Sequence, residues 1–155
     1  MGIRLATAED VPQLLEMGRA YLAEISIEAL GEVEDGPIED LLLAYVDGAS
    51  GHIVAVHELA GGRIAGVIIG TLSNIWFAPH KSIAVIQAWW VRPERRGSVS
   101  AMLLMAAFCG WAELVGAVGV TSSSIPGGPP AAESVLPRAG FTLMERCWFR
   151  PLKGG

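Results

Sequence analysis

The sequence predicts an α/β domain built on a mixed, mostly antiparallel sheet with helices on both faces. Two β-branched runs, Ile53–His57 and Arg63–Leu72, flank an Ala60-Gly61-Gly62 turn, which is the pattern of an antiparallel hairpin. Residues 83–121 then give an apolar run, a stretch of helix formers and a second apolar run, the order of a β-α-β unit. Hydrophobic residues make up 52% of the 155, and charged residues 17%, below the roughly 25% usual for soluble domains. That balance suits one domain over 1–155 with extensive burial, including a possible subunit interface.

Ile3 to Leu5 form a short first strand, and Thr7 can cap a helix whose first turn carries Glu9 and Asp10. Val11, Leu14, Leu15, Gly18, Tyr21, Leu22 and Ile25 recur at helical spacing, so the first helix runs over about 8–24. Residues 29–36 are polar, with two glycines, and read as a loop. Pro37 suits the first position of a second helix reaching about Asp47. After the hairpin, 73–81 is less regular, with Trp76, Phe77, Pro79 and His80, and the next strand is Ile83–Val91. A helix over Val99–Leu114 follows, then a short buried strand within Gly116–Thr121. Residues 122–130 are rich in Ser, Gly and Pro and form a loop. Ala131–Arg138 gives one or two helical turns, Gly140 fits a helix C-terminus, and Phe141–Pro151 reads as a final strand or hairpin.

Charge narrows the partners. The net charge of −5 is spread along the chain, whereas a nucleic-acid-binding protein would show a large basic face. The one basic cluster, Arg92, Arg95 and Arg96, suits one or two phosphates. Cys109 and Cys147 show no motif spacing and read as free thiols, with no metal site expected. The first ten residues hold no apolar signal core, and Gly97–Ala112 is too short and too interrupted to span a bilayer, so the cytoplasm is the expected location.

The chemistry concentrates in 82–114. A turn entering a helix offers unpaired N–H groups and the positive end of the helix dipole, and the arginines add full charges, which makes a phosphate cradle. Trp89 and Trp90 are consecutive on a strand and so point to opposite faces; core packing or an interface outweighs a wall of an acceptor site for both. The helix after the turn has almost no polar face, so it is either covered by further structure or forms a homodimer contact.

Val91-Arg92-Pro93-Glu94-Arg95-Arg96-Gly97 and Ala139-Gly140-Phe141, in this order and separation, resemble the GNAT superfamily of acyl-CoA-dependent N-acetyltransferases, and the resemblance extends over nearly the whole chain. It implies an enzyme that moves acetyl from acetyl-CoA, used as co-substrate, directly to an amine acceptor, a small molecule or a peptide. It also implies a coenzyme site at Trp90, Val91, Arg92, Arg95, Arg96, Gly97, Ser98, Val99, Ser100 and Ala101, with Arg96 as the arginine for the phosphates. The chain departs from the family pattern in that turn. Aligned on Arg96, Val99 stands where glycine is usual, and one register earlier Ser98 and Ser100 take the glycine slots. A β-branched residue is harmless there only if φ stays negative. Ser98 and Ser100 could act as caps or as hydroxyl donors to phosphate.

The customary catalytic groups are also missing. Gln87 stands near the place of a glutamate base, where it can hold a water or orient the amine, and Leu136 falls on the place of a tyrosine acid. The proton path then uses solvent or one of Glu24, Glu28, His57, His80, Glu133 or Glu145, of which His80 is singled out among the histidines. Two readings stand side by side: an acetyltransferase, and a catalytically silent module of the same fold that binds acyl-CoA or a protein partner. A nucleotide-phosphate binder of another α/β type is disfavoured, because no complete P-loop or G-x-G-x-x-G is present.

Overall fold

The computed structural model describes residues 2–25, 34–48, 50–124, 130–145 and 150. Strand β1 (Gly2–Leu5) leads through a 3-10 turn (Ala8–Asp10) into α1 (Val11–Ile25), followed by α2 (Asp35–Val46). Strands β2 (His52–Glu58), β3 (Ile64–Ile75) and β4 (Ala78–Val91) come next, then a 3-10 turn (Pro93–Arg95), α3 (Ser100–Leu114), β5 (Val120–Ser122) and α4 (Pro130–Arg138). The strands lie in sequence order, antiparallel from β1 to β4, with β5 parallel to β4. The mixed sheet and its β-α-β unit are therefore as expected.

Pattern decides which residue faces which layer. Val54, Val56, Val67 and Trp90 pack with Val11, Leu14, Met17 and Leu42 on the α1/α2 face. Ile53, Ala55, Ile68 and Val91 pack with Leu104, Met105, Phe108 and Ala112 on the α3 face, joined by Leu136 and Phe141. Helix α3 crosses β3 so closely that a Cβ on Gly70 would lie 2.3 Å from Phe108 Cε2 and 2.6 Å from the Val85 carbonyl oxygen. Glycine is what allows that approach.

Three expectations change, and one of two alternatives for the third helix remains. Residues 73–81 are not irregular: β3 and β4 continue through them as a hairpin, with exposed Trp76 and Phe77 at its tip. The apolar pattern breaks there because the hairpin end leaves the core, so periodicity no longer marks the strand. Helix α2 starts at Asp35, placing Pro37 at its third position, still within the first turn, where no helical hydrogen bond is lost. Among the described residues helix α3 is covered on one side, with Val99, Met102, Leu103 and Leu114 exposed, which leaves the second of the two alternatives expected for it, a subunit contact. Residues 141–145 form no strand, and 146–149 and 151, with Cys147, lie outside the described residues.

Candidate functional site

Strand β4 outruns its parallel neighbour. It pairs with β5 only at Ala84, Ile86 and the residue between them, opposite Val120–Ser122, so from Gln87 to Val91 its outer edge meets no strand among the described residues. Gln87 marks the change. Ala88 lies opposite Ile69 and Ile86 opposite Gly70, which leaves Gln87 as the extra residue of a β-bulge with its side chain exposed. The outer edge of β4 beyond Ile86, toward the start of α3, therefore has no strand partner among the described residues.

The turn at the end of β4 is shaped by Gly97, whose φ of 77° lies in the left-handed region. Val99 has φ −69° and ψ −10°, so the glycine slot it occupies is right-handed and the β-branched side chain is unstrained. The backbone N–H groups of Gly97, Val99, Ala101 and Met102 donate to no protein group among the described residues, whereas Ser100 N–H donates to Ser98 Oγ at 3.3 Å. Four such donors around a helix start, with the dipole behind them, make a set whose chemistry suits an anion. Met102 was not expected in it, although counting the first four N–H groups of the helix would have included it.

The arginines divide. Arg92 donates from Nε to the Ile64 carbonyl at 2.9 Å and from Nη1 to Glu16 at 2.7 Å, holding the Glu16 carboxyl below the usual glutamate range. Arg96, expected at the phosphates, is committed on the α1 side of the sheet. Its Nη2 reaches Glu24 Oε1 and Oε2 at 2.7 and 2.8 Å, its Nε donates to the Val91 carbonyl, and its guanidinium lies 5.7 Å from the centre of the Trp90 ring. Trp90 Nε1 donates to the same Glu24 at 3.2 Å. Arg95 is exposed and makes no ion pair among the described residues. It is the arginine at liberty to meet an anion on the turn.

Trp89 and Trp90 do take opposite faces, and both pack. They differ in one atom: Trp89 Nε1 is buried on the α3 side with no hydrogen-bond partner among the described residues. A buried donor without a partner costs about 1–3 kcal/mol, so the α3 side is the less completely satisfied of the two. Sequence alone could not show this, since the unmet donor exists only once its surroundings are packed.

The other candidates scatter. His80 is exposed near the hairpin tip, seven residues up β4 from Gln87 and so roughly 20 Å from it; the structure does not bring the two together. His57 is buried against Ser100. Glu133 and Glu145 are exposed, Glu133 accepting a long contact from Ser124 at 3.5 Å, and Glu28 lies outside the described residues. Leu136 packs with the apolar cluster under α3. Burial and the nearby Glu113 push the Cys109 thiol up, away from thiolate chemistry. Among the described residues no group of His, Cys, Asp and Glu could hold a metal ion, and no helix is long and apolar enough to cross a membrane.

No protein-family model and no curated protein matches the sequence. Solved structures do match in fold. A single-residue mutant of the BH1408 protein from Bacillus halodurans superposes with a TM-score of 0.81 at 17% identity, over 98% of this chain and 99% of that one. Glucosamine-6-phosphate N-acetyltransferase from Arabidopsis thaliana gives 0.74 at 14% identity, over 96% and 95%. AAC(6')-Iy, solved in complex with the bisubstrate analogue CoA-S-monomethyl-acetylneamine, gives 0.75 at 17% identity, over 98% and 97%. The fold is the GNAT fold. Within the GNAT fold of this chain, the unpaired edge of β4 from Gln87 to Val91 leads in sequence into the turn that carries the unmet N–H groups.

Proposed function

We propose that the chain is an N-acetyltransferase that moves an acetyl group from acetyl-CoA to an amine by direct transfer. The observation that carries this reading is the set of N–H groups of Gly97, Val99, Ala101 and Met102, unmet among the described residues, in the turn between β4 and α3. A diphosphate has acceptors for them. Arg95 would add charge beside the diphosphate, and the free edge of β4 would receive the coenzyme's arm. Trp90, Arg92 and Arg96 would hold the strand and turn in place from the opposite face, and Val91 from the α3 face.

Acetyl-CoA supplies an acetyl group activated as a thioester. The chain's part is to orient the amine and to favour charge on the carbonyl oxygen by N–H donors of the β4 edge. Gln87, at the bulge, is placed to hold the amine or a water, and it neither takes nor gives a proton. Glu24 is tied up by Arg96 and Trp90, so loss of the amine proton falls to solvent. His80 has no part in this arrangement. The acceptor is a small-molecule or peptide amine, and the cytoplasm remains the proposed compartment. The exposed apolar residues of α3 support a homodimer, which light scattering on the purified chain reads directly.

A second reading has its own support: Leu136 is packed in the apolar cluster and Gln87 replaces a carboxylate, which favours a silent module that binds acyl-CoA. Titration calorimetry with acetyl-CoA, followed by assay of free thiol with a panel of amines, separates the two. Acceptor-dependent thiol release supports the enzyme; binding without release supports the silent module. No binding at all sinks both.

A further inference from the structure

Among the described residues only three polar or charged ones are buried, and two of them, His57 and Ser100, touch each other. His57 projects from β2 on the α3 face, and its Nδ1 lies 2.8 Å from Ser100 Oγ, on the first residue of α3. Ser100 Oγ lies 3.0 Å from Ser98 Oγ, and Ser98 Oγ lies 2.6 Å from the Arg95 carbonyl oxygen. Ser98 Oγ also accepts the Ser100 N–H.

Counting protons along this row leaves one arrangement that satisfies every contact. A carbonyl oxygen has no proton, so the Ser98 hydroxyl must donate to Arg95. Its proton being used, the contact between the serines needs the Ser100 hydroxyl to donate to Ser98. The Ser100 proton is then used as well, and the contact with His57 needs an N–H on Nδ1. With the proton on Nε2 instead, Ser100 would turn its hydroxyl toward the imidazole, and the two serine oxygens would face each other at 3.0 Å with no proton between them. That repulsion would fall inside the turn.

We infer that His57 carries its proton on Nδ1 and is the positioning residue for the turn 95–100, setting the donor row that aims both serine hydroxyls inward and leaves only backbone N–H groups for an anion. The role in binding rests on the acyl-CoA reading above; the proton assignment does not. It also revises the expectation that Ser98 and Ser100 donate to phosphate, because both hydroxyl protons are spent within the turn. The row further explains how the turn keeps its shape without a second glycine: the buried imidazole braces from beneath what the backbone alone would leave loose.

Two measurements test it. In nitrogen-15 NMR of the histidine rings of the full chain at about pH 8, where an ordinary histidine is neutral, His57 should show a protonated Nδ1 and a bare Nε2. A bare Nδ1 overturns the assignment. Binding of coenzyme A by calorimetry should fall about tenfold in His57→Leu and return to within about threefold of wild type in His57→Asn, whose side-chain amide can place an N–H where Nδ1 stood. Equal affinity in His57→Leu and wild type overturns the positioning role, as does failure of His57→Asn, with a native circular dichroism spectrum, to recover binding. If the wild-type chain does not bind coenzyme A, the functional reading and the positioning role fall together, while the NMR result decides the proton assignment by itself.

Discussion

Trp89 and Trp90 are neighbours on one strand, yet the sheet treats them differently. The Trp90 indole N–H is bound by Glu24, which Arg96 also grips, and the α1 face carries further ion pairs from Arg4 and Arg92. The Trp89 indole N–H has no partner among the described residues, and the α3 face around it is apolar except for His57 and the serines of the turn. A face whose donors are matched internally is finished by folding. The α3 face is less complete, and it is the face on which the coenzyme is proposed to bind.

That contrast can be tested from its strongest lever down. The α1 face should be the acid-sensitive one. Hydrogen bonds from Arg4, then from the Thr7 backbone, hold the buried Asp10 carboxyl below the usual aspartate range. Because the folded-state value is depressed, the stabilisation is complete above the ordinary aspartate value near pH 4 and is lost as pH falls through the lower folded value. Asp10→Asn should therefore cost about 2 kcal/mol at pH 7, allowing for an Arg4 partly open to solvent, and should flatten the acid limb of urea-denaturation stability below about pH 4. An unchanged acid limb would place the sensitivity elsewhere.

The tryptophans give the next contrast. Trp90→Phe should cost about 1–2 kcal/mol in urea denaturation and leave acetyl-CoA affinity within about twofold, since it loses a matched donor and ring volume. Trp89→Phe sheds an unmatched donor along with its volume, so its stability loss should stay under about 1 kcal/mol while acetyl-CoA binding weakens about fivefold. Identical behaviour of the two variants would erase the distinction between the faces.

The smallest effect separates the arginines. Arg95→Ala should weaken acetyl-CoA binding about threefold at low salt and less at high salt, as for an exposed charge near an anion. Arg96→Ala should appear mainly as lost stability, about 1 kcal/mol for a half-exposed pair with Glu24. A greater loss of affinity in a folded Arg96→Ala than in Arg95→Ala would return Arg96 to the phosphates.

What could be read from the chain was local. Strand, turn and helix over 83–114 carry signals within a few residues of one another: β-branched alternation, Pro93 and Gly97, then a run of helix formers. The pairings that give those residues their roles span the chain. Arg96 finds Glu24 72 residues away, and Ser100 finds His57 43 residues away, so no window of sequence reveals either. The hairpin at 73–81 was illegible for another reason. Its strands leave the core, and with no buried face there is no alternation to read. Residues 136–141 were legible as a resemblance, and so was the loss of a proton donor at Leu136, but its packing in the apolar cluster on the α3 face was visible only in the fold.

The bulge at Gln87 behaves like an insertion that the core does not feel. Ala84 and Ile86 before it and Trp89 and Val91 after it all belong to the α3 face, so the alternation resumes as if Gln87 were not counted. A chain lacking Gln87 would keep every neighbouring side chain on its present face while β4 straightened. One residue that contributes nothing to packing thus stands where the pairing of β4 with β5 stops, and its deletion is expected to change that edge without disturbing the core beneath it.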